Sequence, residues 1–166
     1  MKRTVFACGI IIASTVNGST WQTTQSTSPI DDSMTVHIIQ EAVGPHKNRY
    51  GRTGHANLQI LCENNRTGLA LVLPELYTSD INGLGSVTFR VDKQQAFVAS
   101  LIASNDHDSL ALVGNSAIRA IKKMLGGQKL LVQVIAVSEP SHLIEFNIQG
   151  IDEAIKPVQA ACGWRG

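Results

Sequence analysis

Short segments of apolar–polar alternation, separated by turn residues, recur along this chain and restrict its fold more than any other feature. In 57–63, Leu58, Ile60 and Cys62 fall on one side. In 86–92 the set is Val87, Phe89 and Val91, and in 143–149 it is Ile144, Phe146 and Ile148. Alternate residues of a strand point the same way, so each segment offers one face to a core and one to solvent. Such half-buried strands belong to antiparallel sheets rather than to parallel sheets buried on both faces. Further strands are predicted at 21–28, at 34–43 with Met34, Val36 and Ile38 on one face, at 69–73 and at 95–103. Segment 129–137 is nearly continuous in apolar residues, which predicts a central strand.

The intervening residues suit turns. Pro29-Ile30-Asp31-Asp32-Ser33 is turn chemistry, and Asn64 to Gly68 is a hairpin connection rich in residues that tolerate left-handed backbone. Segments 44–54 and 77–85 read as loops, and 104–109 as polar and irregular. Two helices are predicted. One is capped by Asn115 or Ser116, runs to about Leu125 with Ala117, Ile118, Ile121 and Leu125 inward, and stops at Gly126-Gly127. The other is capped by Asp152, carries Ile151, Ile155, Val158 and Cys162 at helical spacing, and is kinked or restarted by Pro157. The expected class is α+β: about eight mostly antiparallel strands in a sheet or sandwich, with two helices.

Residues 1–18 stand apart. Lys2 and Arg3 precede an apolar stretch from Val5 to Val16, and Val16-Asn17-Gly18 supplies a peptidase site. That order defines a secretory signal peptide, leaving 19–166 as a single domain. The stretch is too short to be a membrane anchor, and no later run is long enough to span a bilayer. Removing Lys2 and Arg3 from 14 basic residues leaves 12 against 13 acidic ones, a mature net charge of −1. A chain so balanced does not bind nucleic acid non-specifically, and 5% aromatic residues make no stacking platform.

Export also changes the cysteine count. Cys8 leaves with the signal peptide, and Cys62 and Cys162 remain. An even pair in an exported protein predicts a disulfide, here one that pins the last helix to a core strand. The alternative is two separate buried thiols.

No set of residues announces catalysis. His37, His46, His55, His107 and His142 form no metal-binding spacing, no Gly-x-Ser-x-Gly elbow exists, and the paired glycines lack the context of a phosphate loop. No metal or cofactor is expected. Asp106-His107-Asp108 beside Asn105 resembles a hard-cation loop but lacks its glycine and terminal Glu, and reads as a solvated loop. Asp31-Asp32 would serve as catalytic acids only if one were strongly perturbed; otherwise they form a turn. Asn65-Arg66-Thr67 matches a glycosylation sequon by pattern only. Lys47, Arg49 and Arg52, flanked by His46 and His55, surround Tyr50 and make the one basic cluster suited to binding. An anionic lipid head group, a glycan acid or a protein face would suit it.

Several runs also read together. Trp21, then Thr27-Ser28-Pro29-Ile30-Asp31-Asp32-Ser33, open the mature chain. Cys62-Glu63-Asn64-Asn65-Arg66-Thr67, Phe89-Arg90-Val91-Asp92-Lys93, Gly150-Ile151-Asp152-Glu153-Ala154-Ile155-Lys156-Pro157 and Ala161-Cys162-Gly163-Trp164 follow in order. In this order and spacing the sequence resembles the VasI/TagO family of type VI secretion-associated proteins. The resemblance covers nearly the whole mature chain and is weakest over 69–85 and 97–109. It implies a periplasmic accessory protein without catalytic residues, partnered by an envelope or secretion-machinery protein. It also agrees with the Cys62–Cys162 pairing. Relatives of the family also occur away from secretion clusters, in phage-like settings. A second expectation is a small exported inhibitor or ligand binder acting on a cell-wall enzyme or glycan through the Lys47–Arg52 loop.

Overall fold

A computed structural model of the chain describes residues 20–78, 83–105, 108–136 and 138–165. The expected signal peptide, residues 1–18, and the Asp106-His107 part of the acidic run lie outside these residues. Nine strands form one antiparallel sheet: β1 (Gln22–Thr27), β2 (Met34–Glu41), β5 (Asn57–Glu63), β6 (Arg66–Val72), β7 (Leu84–Val91), β8 (Phe97–Ala103), β9 (Ser109–Val113), β10 (Lys129–Ile135) and β11 (Ser141–Asn147). Their spatial order is β1-β2-β5-β6-β9-β8-β7-β10-β11. A separate two-stranded hairpin joins β3 (His46–Lys47) to β4 (Thr53–Gly54). Helix α1 spans Asn115–Lys122, and the C-terminal helix is split into α2 (Ile151–Ala154) and α3 (Lys156–Cys162).

The expected class holds: mainly antiparallel, with two helical regions and the last one bonded to the sheet. The alternating faces are buried as read, with Val36, Ile38, Leu58, Ile60, Val87, Phe89, Ile144 and Phe146 in one continuous core. The sheet also curls back on itself. Just beyond β2, Ala42 bridges Phe146 of β11, and the Val43 amide donates to the Glu145 carbonyl at 2.8 Å. A sheet that closes this way leaves fewer free edges than an open one.

Five details differ from the sequence reading. Strand β9 was hidden in the run before the helix; it pairs with β6 from Gly68↔Val113 to Val72↔Ser109. The connection after β5 is tighter than Asn64 to Gly68. Only Asn64 and Asn65 turn, both at positive φ, and β6 begins at Arg66. Strand β10 is paired on both sides, yet its burial alternates and Ile135 is exposed, because the outer face of the sheet is uncovered. Helix α1 ends at Lys122 rather than Leu125, and neither Asn115 nor Ser116 caps it. Gly114, at φ 64 and ψ −136, occupies the cap position, a conformation that favours glycine. Asp152 lies inside the first turn of α2 after a left-handed Gly150, and its carboxylate accepts the Gly126 amide at 3.0 and 3.1 Å. Pro157 sits at the start of α3, where its missing N–H costs nothing.

The C-terminal segment is held at one end of the β5–β6 hairpin. Cys62 and Thr67 are cross-strand partners there, and both are buried. Cys62 is bonded to Cys162 across a sequence separation of 100. Thr67 Oγ1 accepts a hydrogen bond from Trp164 Nε1–H at 2.8 Å, and the Thr67 carbonyl accepts the Gly114 amide at 2.7 Å. One β-turn end therefore organises the start of α1 and the end of α3. Cys62 shares its face with Leu58 and Ile60, so α3 lies on the core side, where Val158 is fully buried.

Cys62→Ser should destabilise the domain by a few kcal/mol, since closing a loop of this length is worth up to about 4–5 kcal/mol in the chain-entropy model. Urea unfolding with and without reductant measures it: the wild type should lose that stability on reduction, and the variant should not change. Trp164→Phe should cost about 1–3 kcal/mol, because it leaves the buried Thr67 hydroxyl without its partner.

Candidate functional site

The basic cluster Lys47, Arg49, Tyr50 and Arg52 is a built hairpin rather than an unstructured loop. Its strands are two residues each, too short to show any period in sequence. Asn48 organises the turn. Its Oδ1 accepts the amides of Tyr50 (2.9 Å) and Arg52 (3.0 Å), and its own amide donates to the Arg52 carbonyl (3.0 Å). The Gly51 amide returns to the Asn48 carbonyl at 2.9 Å, with Gly51 at φ 77. This is the side-chain mimicry of a backbone turn that Asn performs well.

The hairpin is fastened to two neighbouring segments. On one side buried His46 donates through Nε2 to the Pro74 carbonyl at 2.6 Å, and Asn48 Nδ2 donates to the Glu75 carbonyl at 3.2 Å. Gly54 permits this approach, because a Cβ there would collide with the Pro74 carbonyl and the His46 ring. On the other side the Arg49 amide donates to Glu139 Oε2 at 3.0 Å, and Arg49 Nη1 donates to the Ser138 carbonyl at 3.1 Å. The same Glu139 oxygen meets His142 Nε2 at 3.0 Å, with only 7% of the Glu139 side chain exposed. Glu139, Asn48 and Pro74 were not singled out from the sequence, and His142 only as one of five histidines without metal-binding spacing. Only the fold brings 46–54, 74–75 and 138–142 together, and single-residue patterns carry no trace of that.

These contacts redistribute the charge of the cluster. Arg52 faces Glu75 at 3.4 Å, an exposed pair worth about 0–1 kcal/mol at most. The Arg49 guanidinium is spent partly on Ser138 and partly on the Tyr50 ring, 5.4 Å from its centroid. Lys47 remains exposed, and Tyr50 is 77% exposed. The hairpin thus presents an aromatic ring backed by cations, with two of its three cations already engaged by the chain's own acceptors. His55 lies just beyond β4 and is exposed.

Asp31 and Asp32 belong to the exposed turn between β1 and β2. Hydrogen bonds from Ser28 and Ser33 hold the Asp31 carboxyl below the usual carboxylate range; the Ser33 hydroxyl lies 2.8 Å away. A general acid at neutral pH needs the opposite shift. Asp32 stands at φ 57, as turn residues do. The sequon threonine, Thr67, is buried against Trp164. Among the described residues, no group of three or more His, Cys, Asp or Glu is placed to hold a metal ion. Among the described residues, no helix is long and apolar enough to cross a membrane.

Fold and site together define an α+β domain, closed by a disulfide, that carries a pinned cationic hairpin with an exposed aromatic tip. The chain belongs to the VasI family: the family model described as type VI secretion system VasI, EvfG matches residues 11–164. It is thus a type VI secretion-associated protein. No curated protein and no solved structure matches the chain.

Glu139→Ala should free the hairpin by removing the acceptor of the Arg49 amide and the partner of His142. Loss of a buried partner costs about 1–3 kcal/mol. Amide exchange at Arg49 should accelerate accordingly while β5 and β6 keep their protection; unchanged exchange at Arg49 would contradict the anchoring.

Proposed function

We propose that this protein is an exported accessory subunit that works by binding in the bacterial envelope and performs no catalysis. The observation that carries this reading is the Cys62–Cys162 bridge. Structural disulfides form and persist in oxidising compartments such as the periplasm. The basic and apolar order of residues 1–18 is that of a signal peptide, which supplies the route. Family membership supports a partner within the secretion apparatus. The rigid Tyr50 tip suits such a contact, because exposed aromatic residues backed by arginine are the usual anchors of protein interfaces.

A tagged chain expressed in a host with an active type VI apparatus should fractionate with the periplasm and co-purify with an envelope component of that apparatus. Recovery in the cytoplasm, or from the periplasm with no such component, would contradict the proposal. An Asp31→Ala, Asp32→Ala double variant should support secretion as well as the wild type does.

A second reading, a small exported inhibitor or binder of a cell-wall enzyme or glycan, draws on exposed Lys47 beside Tyr50. Alanine at Lys47, Arg49 and Arg52 together should then abolish retention on purified peptidoglycan. Retention that persists would remove that reading.

A further inference from the structure

The sheet is incompletely zipped at one place. Strands β8 and β9 pair only at Ile102↔Ala111 and Ala103↔Leu110. Beyond Ala111 the two diverge, because β9 stays with β6 as far as Val113 and the chain then turns at Gly114 into α1. Helix α1 packs on β6 and β9. The first part of β8 is therefore paired on one side only, by β7 from Phe89↔Phe97 to Leu84↔Ile102.

The direction of its free groups follows from the register. The Ala103 amide donates to Gly83, so the odd-numbered residues of β8 turn their backbone groups toward β7. The Ser104 amide donates to the Ser109 carbonyl, so the even-numbered ones turn toward β9. Val98 and Ser100 thus aim one N–H and one C=O each at the gap, where no strand meets them. The gap is an open groove of about 310 Å³ lined by Phe97–Ser100 on one wall and by Ser116, Arg119, Ala120 and Lys123 on the other, with Leu112 between. A water occupies about 30 Å³ in the liquid, so the groove admits more than solvent in single file. The helix wall repeats at i, i+3, i+4 and i+7, a single face. Lys123 Nζ sits 4.2 Å from the centroid of the Phe97 ring, and Arg119 reaches Ser116 at 3.2 Å. Among the described residues, no acidic one lines the groove.

We propose that this groove accepts an extended acidic segment of a partner protein, which adds to β8 as a strand and sets a carboxylate against Arg119 and Lys123. Main-chain pairing supplies affinity in such strand addition, and alternate side chains supply specificity. The charge selects the occupant. A second copy meeting edge to edge would bring Arg119 and Lys123 against their equivalents. Segment 1–19 of this chain carries Lys2 and Arg3 and no acid. The inference rests on the binding role proposed above but uses a different surface. Its failure would leave envelope co-purification intact.

Two measurements on the purified, oxidised protein test it. Amide exchange should be fast at Val98 and Ser100 and slow at Ala99 and Leu101; equal protection would mean that the edge is already satisfied and would overturn the proposal. Titration with the acetylated, amidated peptide Thr-Val-Glu-Val-Glu-Val-Thr, followed by NMR, should shift the Val98 and Ser100 amides most. The Arg119→Glu, Lys123→Glu variant should bind that peptide about tenfold more weakly and prefer its Lys-for-Glu counterpart. No saturable shift at Val98 and Ser100, or binding indifferent to the charge reversal, would overturn the proposal.

Discussion

The pairing of Cys62 with Thr67 across the β5–β6 hairpin is the contact on which the arrangement of the rest depends. Through Cys62 it is bonded to α3, through the Thr67 hydroxyl to Trp164, and through the Thr67 carbonyl to the start of α1. Three pieces of chain distant in sequence meet within one β-bridge. The requirement that both residues be buried on the core face follows from strand alternation alone. The tether then decides that the C-terminal helix covers the core instead of trailing from it, and with it Val158 and Ile155 become interior residues.

That tether leaves the other surfaces free for binding. The cationic hairpin is remote in sequence from the helices and is secured by its own set of acceptors, Pro74, Glu75, Ser138 and Glu139. The zipping defect between β8 and β9 arises for a different reason. A strand that must deliver the chain to α1 at Gly114 cannot follow both neighbours to their ends. A preformed hairpin and an open sheet edge both lower the ordering cost of association relative to a flexible tail.

Much of this was legible in the sequence, for a physical reason. Alternation is imposed by the pleat, so Leu58, Ile60 and Cys62, or Ile144 and Phe146, announce their face wherever the strand is placed. Proline is equally explicit, and Pro157 divides the last helix as its chemistry demands. Strand β9 was not legible because Leu110 to Val113 is short and runs directly into a helix. The cap of α1 was misread because Asn115 and Ser116 are good cap residues that the left-handed Gly114 makes unnecessary. The candidate site was half legible. Lys47, Arg49, Tyr50 and Arg52 form a visible basic run, but their anchors are backbone carbonyls and a glutamate some 90 residues away in sequence. Which cations are spent internally depends on that tertiary contact, and no local pattern encodes it.

The domain is closed by one covalent tether, and we propose that it is exported. Intact mass spectrometry of the protein recovered from the periplasmic fraction, without reductant and with a thiol-reactive reagent present, tests this most directly. The account predicts a chain shortened by about the first 18 residues, two hydrogens lighter than the dithiol and unlabelled by the reagent. A full-length chain with labelled Cys62 and Cys162 would contradict it.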